Sequence, residues 1–220
     1  MTDLFAPIDL YCERTGASFW SEPLNFCSNI GFIVAGVLIL RTVRGAHFKS
    51  KHPGTLLLAW LVIIIGIGSG LFHSFANGWS QWADVIPIGL FVFTYLFLFL
   101  RFTAGVAPLK AGLILAGFIA LSAMVASVSD HQLSNGSEAY FGTWIALFGV
   151  SCFYAGRKQA HNQWRIALAS LTFSLSLFMR TIDMRLCDAW PIGTHVFWHL
   201  LNSVVIYLIT SAYISERARN

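Results

Sequence analysis

Long apolar runs alternate along the chain with short polar gaps, and this spacing sets the whole reading. Seven runs stand out, near Leu24–Val43, Thr55–Phe75, Val85–Phe102, Leu109–Val128, Ala139–Tyr154, Ile166–Met184 and His195–Ile214. The fifth and seventh are the least apolar. A bilayer span needs about 20 mostly apolar residues, and the runs approach that length. Backbone polar groups in lipid must be satisfied internally, which leaves helices or closed barrels. Barrel strands are about ten residues long, so the runs predict helices. The expected fold is an all-α integral membrane protein, a seven-transmembrane helix bundle forming one domain over residues 1–220. Residues 1–23 form a polar, acidic segment ahead of the first span. No internal repeat or low-complexity tract interrupts the pattern.

Composition narrows the class. Hydrophobic residues make up 56% of the 220 and charged residues 11%, with a mean hydropathy of +0.67. Soluble domains carry about 25% charged residues, so a soluble domain, a disordered tail and a small disulfide scaffold are excluded. The net charge of +4 does not point to nucleic acid, because the basic residues sit in the gaps between apolar runs. Eleven of the 14 Lys and Arg fall after spans 1, 3 and 5 or at the C-terminus; Arg14, Arg180 and Arg185 fall on the other side. Positive charge accumulates on the cytoplasmic side. The N-terminus is therefore expected outside and the C-terminus inside, in the inner membrane if the source is bacterial. Trp20, Trp79, Trp82 and Trp190 then lie at the outer interface and Trp164 at the inner one, as an aromatic belt would. Residues 1–23 lack the apolar core of a cleavable signal, so the first span is expected to act as an uncleaved one.

Ionisable residues at the spans are functional candidates. His47, His52, His131 and His161 fall in gaps and read as solvated. His73 ends the second span, and His195 and His199 open the seventh, four residues apart and so on one helical face. The topology brings all three to the same outer level. Three imidazoles with an open fourth position make a catalytic zinc set. Helix capping or hydrogen bonding across the bundle is the alternative. Ser69 lies one turn before His73, and Asp84 lies across the next short gap. Beside a metal, Asp84 could accept a proton or orient a ligand; it could equally cap a helix. Ser69 could serve catalysis or, between Gly66 and Gly70, close helix packing. Asp9, Glu13 and Glu22 form an acidic cluster outside, where hard oxygens suit calcium or simply solvate the arm. Cys12 and Cys187 also lie outside, where disulfides persist, and a bridge would tie the arm to the gap before the His pair.

Taken together, these segments resemble the alkaline ceramidases and the wider CREST superfamily of seven-span hydrolases. The resemblance is carried by Tyr11-Cys12-Glu13, Glu22 with Asn25 and Ser28-Asn29, Gly68-Ser69 with Phe72-His73, Gln81 with Asp84 and Pro87, and Gly193 with His195, Trp198 and His199. It implies a zinc amidohydrolase cleaving the N-acyl bond of ceramide or a related membrane lipid. His73, His195 and His199 would be the zinc ligands, with Ser69 and Asp84 as the catalytic residues beside them. Glu13 and Glu22, with Asp9, would correspond to a calcium site. There the sequence departs from the pattern: Leu10 stands where the family has Asp, the Glu13–Glu22 spacing is shorter, and the Asn after the first Glu is missing. A tunnel for the acyl chain could draw on Phe91, Phe93, Phe97, Phe173 and Phe178, which could equally be ordinary lipid-facing or core aromatics. The rival readings are a receptor on the same scaffold with a structural zinc, disfavoured by the short cytoplasmic gaps, and a transporter, which would need broken helices or paired repeats. Within the enzyme class, another lipid amide or an ester is the alternative substrate.

Overall fold

The computed structural model describes residues 3–45, 54–157 and 162–219. His47, His52 and His161 lie outside them. The described residues are helical, apart from the N-terminal segment 3–22, the connecting turns and one isolated bridge between Pro7 and Asn77. A short helix α1 (Pro23–Ser28) leads into α2 (Ile30–Arg44). Then come α3 (Thr55–Phe75), α4 (Gly78–Leu98) with a π-helical extension Phe99–Thr103, and α5 (Pro108–Val128). The turn α6 (His131–Ser134) and a 3₁₀ turn Ser137–Tyr140 precede α7 (Phe141–Ala155). Helix α8 (Gln163–Ile182) runs into a 3₁₀ turn Asp183–Arg185, and α9 (His195–Arg219) completes the described chain.

Six of these segments are long and apolar enough to cross a membrane. The fifth expected span is the exception. At 15 residues, α7 extends about 22 Å at 1.5 Å per residue, short of a hydrocarbon core of about 30 Å. The sequence pattern also places the start of the third span too late. Helix α4 begins at Gly78, where the Asn77 side chain accepts from the Ser80 N–H and the Ser80 hydroxyl answers the Asn77 N–H. This reciprocal cap leaves Asp84 nearly two turns inside the helix, so Asp84 is not its N-cap. Arg180, counted among the outer-gap charges, is instead buried in the last turn of α8.

Small residues decide how closely the helices meet. Gly36 and Gly66 let α2 and α3 approach: a Cβ on Gly66 would press against the Asn29 carbonyl and Phe32, and one on Gly36 against Ala59 and Ile63. Gly68 faces the other way, and its missing Cβ makes room for the Ala83 carbonyl of α4. That carbonyl stands four residues before Pro87, which has no N–H to offer it. Gly68 and Pro87 thus bring α3 onto α4, setting Ser69 beside Asp84. Ile39, Leu58, Val62, Ile65, Ile166 and Ala212 fill the core between α2, α3, α8 and α9. Helix α5 is apolar all round and almost wholly exposed, as a lipid-facing helix would be.

Candidate active site

The C-terminal end of α3 and the N-terminal end of α9 carry the histidines. His73, His195 and His199 are each at most 2% exposed, and one ring nitrogen from each lies within 4.8 Å of the others. His73 Nε2 and His199 Nε2 are 3.1 Å apart. Two ligands on a tetrahedral zinc with bonds near 2.0–2.1 Å are separated by about 3.3 Å, so the spacing suits a shared ion. His195 Nδ1 is buried without a hydrogen-bond partner; buried polar atoms rarely stay unsatisfied unless a ligand completes them. The three residues fit zinc.

The outer nitrogens are held as metal-ligating imidazoles usually are. His73 Nδ1 meets Glu22 Oε2 at 2.6 Å, and His199 Nδ1 meets Ser28 Oγ at 2.7 Å. Tyr11 stacks on the His195 ring, with centroids 3.6 Å apart. Burial pushes the Tyr11 hydroxyl well above its ordinary pKa, so it remains a neutral phenol. The start of α9 is fixed by Asp183. Its Oδ1 accepts the N–H groups of Thr194 (2.5 Å) and His195 (2.9 Å), and its Oδ2 accepts that of Cys12 (3.1 Å). Gly193, at φ +70°, lies against Asp183 and Cys12 Cβ; a side chain there would meet both strain and collision. Cys12 and Cys187 are joined in a disulfide, with Cα atoms 5.1 Å apart. The acidic segment is thus a strap pinned across the histidine-bearing ends of α3 and α9.

Beside the histidines, Ser69 Oγ lies 3.5 Å from His199 Nε2 and hydrogen-bonds the Asp84 carboxyl. Asp84 Oδ1 is buried without a partner. Ser69, Asp84 and His199 close one end of a cavity with about 840 Å³ of unfilled space, its open mouth included. From there the cavity runs between α4, α7, α8 and α9 past Phe91, Phe173 and Val150 to Leu96 and Ile209. Asp84 to Leu96 spans about 18 Å of helix. The walls are apolar almost throughout. Of the five phenylalanines considered for a tunnel, Phe91 and Phe173 line it. Phe93 packs edge-on against Phe118, and Phe97 and Phe178 are exposed.

This arrangement is a metal-ready histidine cluster with an acid and a hydroxyl at the head of a greasy cavity. The ceramidase family model matches residues 8–219. The chain belongs to the ceramidase family. No curated protein matches it. Membership implies a hydrolase acting on amide bonds.

Among the described residues, Asp9, Glu13 and Glu22 do not form a group that could hold a metal ion as the three histidines do. Asp9 is exposed. Glu13 caps the start of α1, accepting the N–H groups of Leu24 (2.6 Å) and Asn25 (2.8 Å). Glu22 is 2% exposed and bonded to Arg14, Asn25 and His73. Burial alone would raise its pKa; hydrogen bonds with His73, Asn25 and Arg14 outweigh that and hold it below the ordinary carboxylate value. Asn25 Oδ1 and Asn29 Oδ1 are buried without partners, yet two amide oxygens fall far short of the six to eight that calcium takes. The side chains present do not fit calcium.

Sequence reasoning missed Asp183, Arg14 and Arg180, and gave Tyr11 and Ser28 no role of their own. Arg180 stands over Tyr11, Tyr140 and Trp198 at 5.4–5.9 Å from each ring. A buried Arg within a span was the available signal.

Proposed function

We propose that this ceramidase-family member is a zinc-dependent amidohydrolase that cleaves the N-acyl bond of ceramide or a closely related lipid. The observation that carries the reading is the join between the His73–His195–His199 cluster, the Ser69–Asp84 pair and one end of the apolar cavity. Zinc held by the three imidazoles would polarise the scissile carbonyl and acidify the attacking water. Asp84, with an oxygen free of other partners, takes the proton of that water and returns it to the departing amine nitrogen. Ser69 donates to the carbonyl oxygen as it gains charge; such a donor is worth about 2.7–4 kcal/mol when well placed. The cavity holds the fatty acyl chain and excludes water from it. Phe91, Phe173 and Ile209 contribute only apolar surface, so the tail binds by burial rather than by polar contacts.

The same reading gives seven spans, with α7 and the turn before it serving as the fifth, and places the N-terminus and metal outside the cytoplasm. Its supports are the charge asymmetry and the disulfide on that face. The test is metal analysis of purified protein together with fatty-acid release from ceramide. Stoichiometric zinc and turnover lost on chelation are expected. Zinc-loaded protein that releases no fatty acid from any N-acyl lipid would overturn the assignment.

A further inference from the structure

Of the acidic residues that the family resemblance assigns to calcium, Glu22 already holds a cationic side chain. Arg14 is 8% exposed. Its Nε donates to Glu22 Oε1 at 2.5 Å, its Nη1 to the Gly16 carbonyl at 3.0 Å, and its Nη2 to the His73 carbonyl at 3.0 Å. The other Glu22 oxygen meets His73 Nδ1. The contacts close a ring: the His73 imidazole, the Glu22 carboxylate, the Arg14 guanidinium, and back to the His73 main chain. Both ends of one residue are therefore gripped by one ion pair. A guanidinium presents its donors in a rigid fork, which suits it to fix a carboxylate in a set orientation. A second cation at Glu22 would face the charge already there.

We propose that Arg14 is a built-in replacement for a divalent cation, a positioning residue that holds Glu22 so that His73 keeps Nε2 directed at the metal, and that this metal centre is accordingly independent of calcium. The first half rests on the zinc reading above; the second does not. Removing the guanidinium leaves Glu22 held at one oxygen only, by Asn25 and His73, and loosens the orientation of His73. Loss of an outer-shell partner of a metal ligand weakens metal binding about 10- to 100-fold.

The test uses the full chain in detergent or lipid nanodiscs. Calcium is titrated calorimetrically to about 1 mM, the weak end of protein calcium sites. Zinc affinity is measured against a competing chelator for wild type, Arg14→Gln and Arg14→Lys, with and without calcium. The expected results are no calcium binding by wild type and zinc affinity unaffected by calcium. Zinc should bind about 10- to 100-fold more weakly to Arg14→Gln, with Arg14→Lys between the two, since it keeps the charge and loses the fork. Stoichiometric calcium binding by wild type would overturn the proposal, as would an Arg14→Gln variant that holds zinc like wild type. If Arg14→Gln does not fold, the lysine variant decides the positioning half and wild type the calcium half. Wild type that binds no zinc refutes the zinc reading and the positioning role built on it, while the calcium titration still decides the other half.

Discussion

Asp183 gives the sharpest test of how the strap and the histidines are joined. One carboxylate accepts three main-chain N–H groups, two at the start of α9 and one from Cys12. The side chain is fully buried, so none of these donors can turn to water when the acceptor goes. Hydrogen bonds to a charged group contribute about 1.5–3 kcal/mol each, against about 0.5–1.5 for neutral ones. In Asp183→Asn, Oδ1 remains to accept from Thr194 and His195, now without charge. The new amide nitrogen faces the Cys12 N–H, donor against donor. Two weakened bonds and one lost bond together cost about 2–4 kcal/mol. At about 2–4 °C per kcal/mol for a chain of this size, the thermal midpoint should fall by roughly 4–16 °C. The N–H of His195 itself is among the affected donors, so zinc affinity should drop by about tenfold or more. Differential scanning fluorimetry in detergent and chelator competition measure the two effects. A variant with an unchanged midpoint and unchanged zinc affinity would refute the argument that Asp183 seats the ligand-bearing helix.

Three further outcomes are expected. Asp84→Asn should keep its zinc and lose turnover by about 10²- to 10⁴-fold; metal analysis with fatty-acid release would expose an undiminished rate. Ala146 lines the cavity beyond the catalytic level, so Ala146→Phe should depress hydrolysis of long-chain ceramides while sparing short-chain ones, and equal losses across a chain-length series would disconnect the cavity from the tail. Ala189 is exposed between α8 and α9; Ala189→Cys, in a background where the exposed thiols of Cys27 and Cys152 are replaced, should react with an impermeant maleimide on intact cells, and labelling only in inverted membranes would reverse the orientation.

What was legible in the sequence tracks what is periodic. The runs at Thr55–Phe75 and Leu109–Val128 coincide with α3 and α5 to within a residue, because uninterrupted apolar stretches leave the boundary to the flanking turns. The His195–His199 spacing gave one helical face, and the topology brought His73 to it. The fifth run, Ala139–Tyr154, coincides with α7 to within two residues; apolar content did not reveal that Ser137–Tyr140 winds as a 3₁₀ turn before α7 begins. The third start misled because Trp79, Ser80 and Gln81 look like a gap in hydropathy, while the cap that begins the helix is a side-chain pairing between Asn77 and Ser80. Asp183 and Arg14 were illegible for a related reason: their partners, Thr194 and His73, lie 11 and 59 residues away, and only the folded chain shows the distances. Gly68 was noted for the motif around it; its particular task, accommodating a carbonyl released by Pro87, depends on two helices at once.

The disulfide carries a consequence for when the protein becomes competent. Cys12 belongs to the strap that precedes all the described helices; Cys187, like His195 and His199, follows α8. A nascent chain holding only the segments through α8 possesses His73, Ser69 and Asp84 but no second or third imidazole, and its strap has nothing to fasten to. His73, Ser69 and Asp84 are therefore made before the other two members of the histidine cluster. Helix α9 delivers two of the three histidines at once, and the Cys12–Cys187 bond then latches the strap over them. A hydrolase assembled in this order lacks its complete histidine cluster until α9 is in place.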